Sequence, residues 1–336
     1  MIKYGLIALP FVLIALFWVM SMRERAALND PSQKSFLQRN GALISVYLVV
    51  AVGFWAVMMI VLPQLYMVDY SFHPKLPSAE RGGPRDVYTL ENYAFFIYGP
   101  QIGNEVTWNT THIRAFVLTI VASLIVTLIN FCLCYPIAFY MAQVARPERV
   151  RLLMMALIVP FWVNEILRAF ALRIMFGTSG LINNMLVAIG VISEPIDFIG
   201  IDVALYVGLS YAYLLMMVFP LYNAIESLDK NQIEAARDLG APWWHIHLFV
   251  IMPFAKPGIA SGCTMVFMLS AGALAAPQFL GGPNSLWFTP IVYDRFFQAF
   301  NWPQGSAYAF ILLLACIVFV LAVMKLFKVG LGEIAR

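Results

Sequence analysis

The sequence predicts an all-α integral membrane protein, on three observations. Of its 336 residues, 62% are hydrophobic and only 12% are Asp, Glu, Lys or Arg, with a mean hydropathy of +0.80. A soluble domain carries about 25% charge, so this chain has too few charges to cover itself, and its solvent must be largely lipid. The apolar residues also fall into runs long enough to cross a bilayer core, which takes about 20 residues of helix. Finally, the polar stretches between the runs alternate in Lys and Arg content, as loops on the two sides of a membrane do. The net charge of +3 is too small to point to nucleic acid. Cys132, Cys134, Cys263 and Cys316 all lie inside apolar runs. They lack zinc-ligand or C-x-x-C spacing and read as small packing residues.

Seven spans are expected, at about 2–20, 42–66, 115–142, 152–172, 201–224, 258–280 and 306–327. Before the first stands only Lys3, whereas Arg23 and Arg25 follow it. A secretory signal has the opposite arrangement, so the run reads as a retained helix with its N-terminus outside. The stretch 67–114 opens with Pro74, Pro77, Gly82, Gly83 and Pro84, a turn-rich loop, and Thr89-Leu90-Glu91-Asn92-Tyr93 is a possible start of a short surface helix. Span four is interrupted by Pro160, and a loop with Gly177, Gly180, Asn183, Asn184, Gly190 and Pro195 is expected after it. The loop 281–305 contains Gly281-Gly282-Pro283-Asn284. Span six is rich in small residues, including Gly258-x-x-x-Gly262, which suit close packing either inside this chain or against a second subunit. Of the 21 Lys and Arg, 13 lie in 21–41, 143–151, 225–257 and the tail from 325. That excess places these segments, and the C-terminus, in the cytoplasm and 67–114 outside.

The cytoplasmic stretch 225–257 is more than a connector. Asp229 suits a helix N-cap, with Gln232 three residues on as a relaxed capping box. Periodicity puts Ile233, Ala236, Arg237 and Gly240 near one face of a helix of about three turns. Gly240 can take the left-handed conformation that ends a helix, and Pro242 blocks its continuation. Ala235 and Ala236 let another surface approach the backbone closely. Trp243-Trp244-His245-Ile246-His247 suits an interface-level anchor, and Pro253 and Pro257 bracket the entrance to span six.

Glu234-Ala235-Ala236-x-x-x-Gly240 followed by Val250-x-Met252-Pro253 resembles the EAA signature of bacterial ABC importer permeases. That family usually has Ile and Leu where Val250 and Met252 stand. Val159-Pro160-Phe161-Trp162, Arg168 and Gly180-Leu181-Ile182-Asn183 resemble the polyamine-type branch. So do Phe219-Pro220-Leu221-Tyr222, Phe279-Leu280-Gly281-Gly282-Pro283 and Asn301-Trp302-Pro303. The resemblance covers about 42–330. It implies a type I (MetI-like) core of six helices, with 1–41 an extra helix and linker ahead of a permease domain at 42–336. It further implies that Glu234, Ala235, Ala236, Gly240, Val250, Met252 and Pro253 couple the chain to a separate ATPase dimer. The other implied partners are a second, different permease subunit and an external solute-binding protein, all at a bacterial inner membrane. No G-x-x-x-x-G-K-[ST] is present, so no cofactor is expected on this chain, and ATP with Mg would act on the partner ATPase.

Intramembrane charges usually face a cavity or a partner. Glu165 and Arg168, three apart on one face, are therefore either an ion pair or the lining of a path, with Asn164 beside them. The family resemblance matches Arg168 but not Glu165, where an uncharged residue is usual. A polyamine site needs carboxylates and aromatic faces. Trp162, Glu165, Asp202, Tyr213, Trp287, Tyr293 and Asp294 are the candidates. Another solute (ferric iron, an opine-like compound, an amino-phosphonate) on the same machinery is the alternative. A stand-alone secondary transporter would need inverted repeats, and none is evident.

Overall fold

A computed structural model describes residues 18–19, 41–77, 80–99, 107–283 and 285–330. All regular structure among them is helical. Apart from Trp18 and Val19, which are helical, the expected first span lies outside the described residues. Two compact units divide between His73 and Pro74. In the first unit, α1 (Ala42–Ala56) runs through a π turn (Val57–Val61) into α2 (Leu62–Ser71). The result is one apolar rod, Ile44–Ser71, long enough to cross a membrane. Pro63 falls in the first turn of α2, where its missing N–H matters least.

The second unit begins with α3 (Glu91–Tyr98), the short helix expected near Thr89. Next comes α4 (Thr110–Phe139), prolonged by a π turn (Tyr140–Val144). Asn109 caps α4 by accepting the His112 N–H at 3.3 Å. Along α4, Thr119, Ser123 and Thr127 donate their hydroxyls to the carbonyls four residues back, at 2.7–2.9 Å. The buried stripe is thus satisfied by its own helix and presents small side chains to its neighbours.

Span four departs from expectation. Instead of one helix over 152–172, α5 (Pro147–Phe161) ends, the chain breaks at 162–164, and α6 (Glu165–Phe176) starts afresh. Pro160 lies inside the last turn of α5 rather than at the break. The Trp162 and Val163 N–H groups bond carbonyls only three residues back, which tightens and ends the turn. Asn164 then caps α6, accepting the Ile166 N–H at 2.9 Å. The expected loop after it holds another helix, α7 (Leu181–Ala188). It is fastened by the buried Asn183 amide, which donates to Gly177 O and Ile196 O and accepts from Ile196 N–H, at 2.8–3.0 Å.

The chain continues with α8 (Val203–Glu226), α9 (Lys230–Asp238) and α10 (Trp243–Ile246). A π turn (His247–Ile251), α11 (Met252–Phe254) and α12 (Lys256–Ala271) follow. Span six is shorter than expected and is preceded by a bend of 77° at Ala255, between Pro253 and Pro257. The remaining elements are α13 (Ala275–Leu280), α14 (Phe288–Phe297) and α15 (Trp302–Phe327). Helix α14 occupies what reads in the sequence as the loop 281–305. Counting the bent pair as one, the described residues hold six spans long and apolar enough to cross a membrane.

Helices α4, α8 and α12 pack on one another to form the main core, with Val126, Cys134, Met217, Leu221 and Val266 buried between them. Gly258 and Gly262 serve packing inside this chain. A Cβ at Gly258 would stand 2.4 Å from Pro220 O, and one at Gly262 would stand 2.8 Å from Met217 Sδ. Substituting Gly258→Val should therefore cost about 1–3 kcal/mol or more, because the obstacle is backbone rather than a movable side chain. A lowered unfolding temperature of the detergent-purified protein, against unchanged Gly330→Val, checks this. Among the described residues, nothing lies within 4 Å of a Cβ at Gly330. A second, aromatic core joins α3, α4, α14 and α15 through Phe96, Phe116, Phe288 and Tyr308, with ring centroids 5.3–5.8 Å apart.

Candidate functional site

Two regions concentrate the residues singled out by the sequence. The first is the segment around α9. Asp229 caps it as expected, accepting the Asn231 N–H at 3.0 Å. The helix has nine residues, about two and a half turns, slightly shorter than expected. Gly240 ends it at φ +77°, with Gly240 N–H bonded to Arg237 O at 2.8 Å and Ala241 N–H to Ala236 O at 3.1 Å. That pair of bonds is the left-handed glycine stop. The expected face needs correction: Ile233 is buried and Ala236 half-buried, but Arg237 and Gly240 face solvent. Glu234, Ala235 and Arg237 are thus offered outward, together with Leu239, which is 89% exposed, and Trp243, which is 75% exposed. Large apolar side chains bared beside short alanines form a surface suited to close docking. Val250 and Met252 turn inward and pack on the main core, while Pro253 is exposed at the bend.

The second region lies at the break between α5 and α6. Helix α6 runs antiparallel to the start of α8: Phe176 meets Phe198, Leu172 lies beside Gly208, and the Arg168 guanidinium stands 5.3 Å over the Tyr211 ring. Tyr211 is about 12 Å along α8 from Val203 and about 22 Å from Glu226, so Arg168 lies about a third of the way along that helix. Arg168 is buried and also lies 5.9 Å from the Phe161 ring. Its Nη1 has no hydrogen-bond partner. Glu165 is exposed on the same helix, and no ion pair within 4.0 Å joins the two, so the paired arrangement is not the one adopted. Tyr213, two residues along α8 from Tyr211, is half-buried and packs on the main core. Trp162 is 83% exposed at the break. Asn164 is committed as the cap of α6.

The other candidates do not join this group. Asp202, in the left-handed region at φ 59°, accepts the Gly282 N–H at 3.0 Å and ties the start of α8 to the Gly281-Gly282 turn. Trp287 is buried in the main core. Tyr293 and Asp294 are exposed on α14, which packs on α15 and α4. Phe161 and Tyr211, the rings that flank Arg168, carry no local sequence signal for that role. One lies across the helix break and the other on a different helix.

The described residues thus form a helical core of membrane-spanning length, with a broken span beside a buried arginine and an exposed, sharply ended helix between two spans. A family model described as "Binding-protein-dependent transport system inner membrane component" matches residues 119–328. The chain is similar to the spermidine/putrescine transport system permease protein PotB of Haemophilus influenzae, at 33% identity over 79% of this chain and 88% of that protein. Against its Escherichia coli counterpart the identity is 33%, over 77% and 89%. A bacterial ABC transporter involved in the import of the acidic polysaccharide alginate has the same fold, with a TM-score of 0.63 at 16% identity over 87% of this chain and 96% of that one. The chain belongs to the family of binding-protein-dependent transport system inner membrane components. It is a multi-pass inner-membrane permease subunit of an importer, a transport component without catalysis of its own.

Proposed function

We propose that this chain forms half of the translocation path of an ATP-driven importer of polyamines such as spermidine or putrescine. The observation that carries this reading is the one-third identity to spermidine/putrescine permeases over most of both chains. In this reading the outward face of α9, with Glu234, Ala235 and Leu239, docks on one subunit of an ATPase dimer. A second permease subunit completes the path, and an external binding protein delivers the solute. The docking face and the C-terminus are cytoplasmic, the N-terminus external. Glu165 supplies an exposed carboxylate and Trp162, exposed at the break, a ring face, groups that suit an ammonium. The opened span between α5 and α6 exposes these groups where backbone polar atoms need a cavity.

The test is uptake of labelled spermidine by the full complex in proteoliposomes. Saturable, ATP-dependent accumulation is expected. With Glu165→Gln, half-saturation should move up about tenfold, the equivalent of one charge-assisted contact. An unchanged concentration dependence would remove Glu165 from the solute path.

A further inference from the structure

The π turn at the inner end of α4 carries Gln143, whose side chain reaches the start of the docking segment. Its Nε2–H donates to Ile225 O at 2.7 Å and to Leu228 O at 3.3 Å. Two carbonyls facing one amide admit only the nitrogen, so the orientation of the group is fixed by its partners. The opposite atom, Oε1, is buried and unpartnered. Ile225 lies in the last turn of α8, and Leu228 precedes Asp229, the cap of α9. At the other end of the segment, Tyr135 Oη lies 2.9 Å from His247 Nδ1, and Phe139 packs on the same imidazole at 4.5 Å between centroids. His247 opens the π turn that leads into the bend before α12. Both ends of the segment that bears α9 are therefore held by one helix, at points about two turns apart on it. The two π turns, Tyr140–Val144 and His247–Ile251, lie next to these attachments. Such turns concentrate at functional positions because they interrupt the regular ladder.

We infer that Gln143 and Tyr135 are positioning residues that fasten the entry and exit of the docking segment to α4, so that a displacement of α9 is delivered to that span. This rests on the reading that α9 docks on an ATPase. Helix α9 sets Ile233 in the main core and Ala236 against it, and turns its other side chains outward. These two small contacts leave its two ends as its firm attachments, and the polar link at its entry is to α4. The donor at Gln143 is the essential chemistry. A cation would also serve at the paired carbonyls ending α8, where the helix dipole favours it, and a carboxylate would repel them.

The experiment uses the full complex in proteoliposomes and the variants Gln143→Glu, Gln143→Lys and Tyr135→Phe. Spermidine moved per ATP hydrolysed is read alongside hydrogen exchange in residues 135–144, without nucleotide and after trapping with ATP and vanadate. Gln143→Glu is expected to lower the transport-to-hydrolysis ratio about tenfold. It should also abolish the nucleotide-dependent change in exchange at 135–144, while residues 230–240 stay protected by the ATPase. Tyr135→Phe should lower the ratio by a smaller factor, and Gln143→Lys should restore both readouts. If uptake and hydrolysis fall together in proportion to assembled complex, or the exchange change persists in Gln143→Glu, the inference is overturned. If the wild-type complex accumulates no spermidine, the solute assignment fails, and the exchange readout still decides the role of Gln143.

Discussion

Gly240→Val is expected to abolish most transport while the protein still inserts and assembles. Gly240 closes α9 at φ +77°, and nothing lies within 4 Å of a Cβ built there. The penalty is therefore one of backbone conformation, not of crowding. An L residue in the left-handed region costs about 1–2 kcal/mol, and β-branching makes the conformation still less accessible. A valine can relieve this only by abandoning the stop, which loses the Gly240 and Ala241 N–H bonds back into the helix. Leu239 and Trp243 would then swing away from the face that α9 presents. Since ~1.4 kcal/mol of misplacement is a factor of ten, spermidine uptake should fall about tenfold or more at equal membrane abundance. ATP hydrolysis should continue without matching transport. Gly240→Asn, which tolerates the left-handed region, should retain most activity. Normal uptake by the valine variant would show that the stop is dispensable and that α9 does not transmit force.

The segment around α9 was readable because its determinants are local. Asp229, Gly240 and Pro242 each act within a turn of their own position, and the structure places cap, stop and restart where those residues stand. The break in span four was less so. Pro160 marks an irregularity, but the position of the interruption is set by Asn164, whose amide can begin a helix only once the backbone has left the previous one. Helices α7 and α14 were hidden for a different reason. Asn183 and Asn184 read as loop residues, yet Asn183 is spent on Gly177 and Ile196, contacts that no window around it reveals. Asp202 resembled a carboxylate for a cation, and its bond to Gly282 is likewise non-local. The same limit applies to Gln143 and Tyr135. A glutamine and a tyrosine in an apolar span are unremarkable until the end of α8 and His247 are brought against them.

Arg168→Met is expected to make the protein more stable and the transporter much worse. Arg168 is 9% exposed, lies against α8 in a helix of membrane-spanning length, and leaves Nη1 without a partner. Two aromatic faces at 5.3 and 5.9 Å offset part of the desolvation, but a ring face does not replace a hydrogen-bond acceptor. A buried unsatisfied donor costs about 1–3 kcal/mol, more when charged, and replacing a buried ion by an apolar group of similar length is often stabilising. The unfolding temperature of the detergent-purified complex should therefore rise in Arg168→Met. A fold alone gives no reason to keep such a charge, so its presence argues for a role in the working cycle. Glu165, three residues earlier and unpaired here, is the acceptor nearest in sequence. A carboxylate that holds a cationic solute must later give it up, and a guanidinium able to replace the solute as counter-charge makes that exchange possible without leaving the carboxylate bare in the membrane. On this account Arg168→Met should slow maximal spermidine uptake about tenfold or more while lowering the half-saturating concentration. Arg168→Lys, which keeps the charge but loses the planar fork, should fall between the two. A variant that was both less stable and unchanged in half-saturation would show the arginine to be a packing element of α6 against α8.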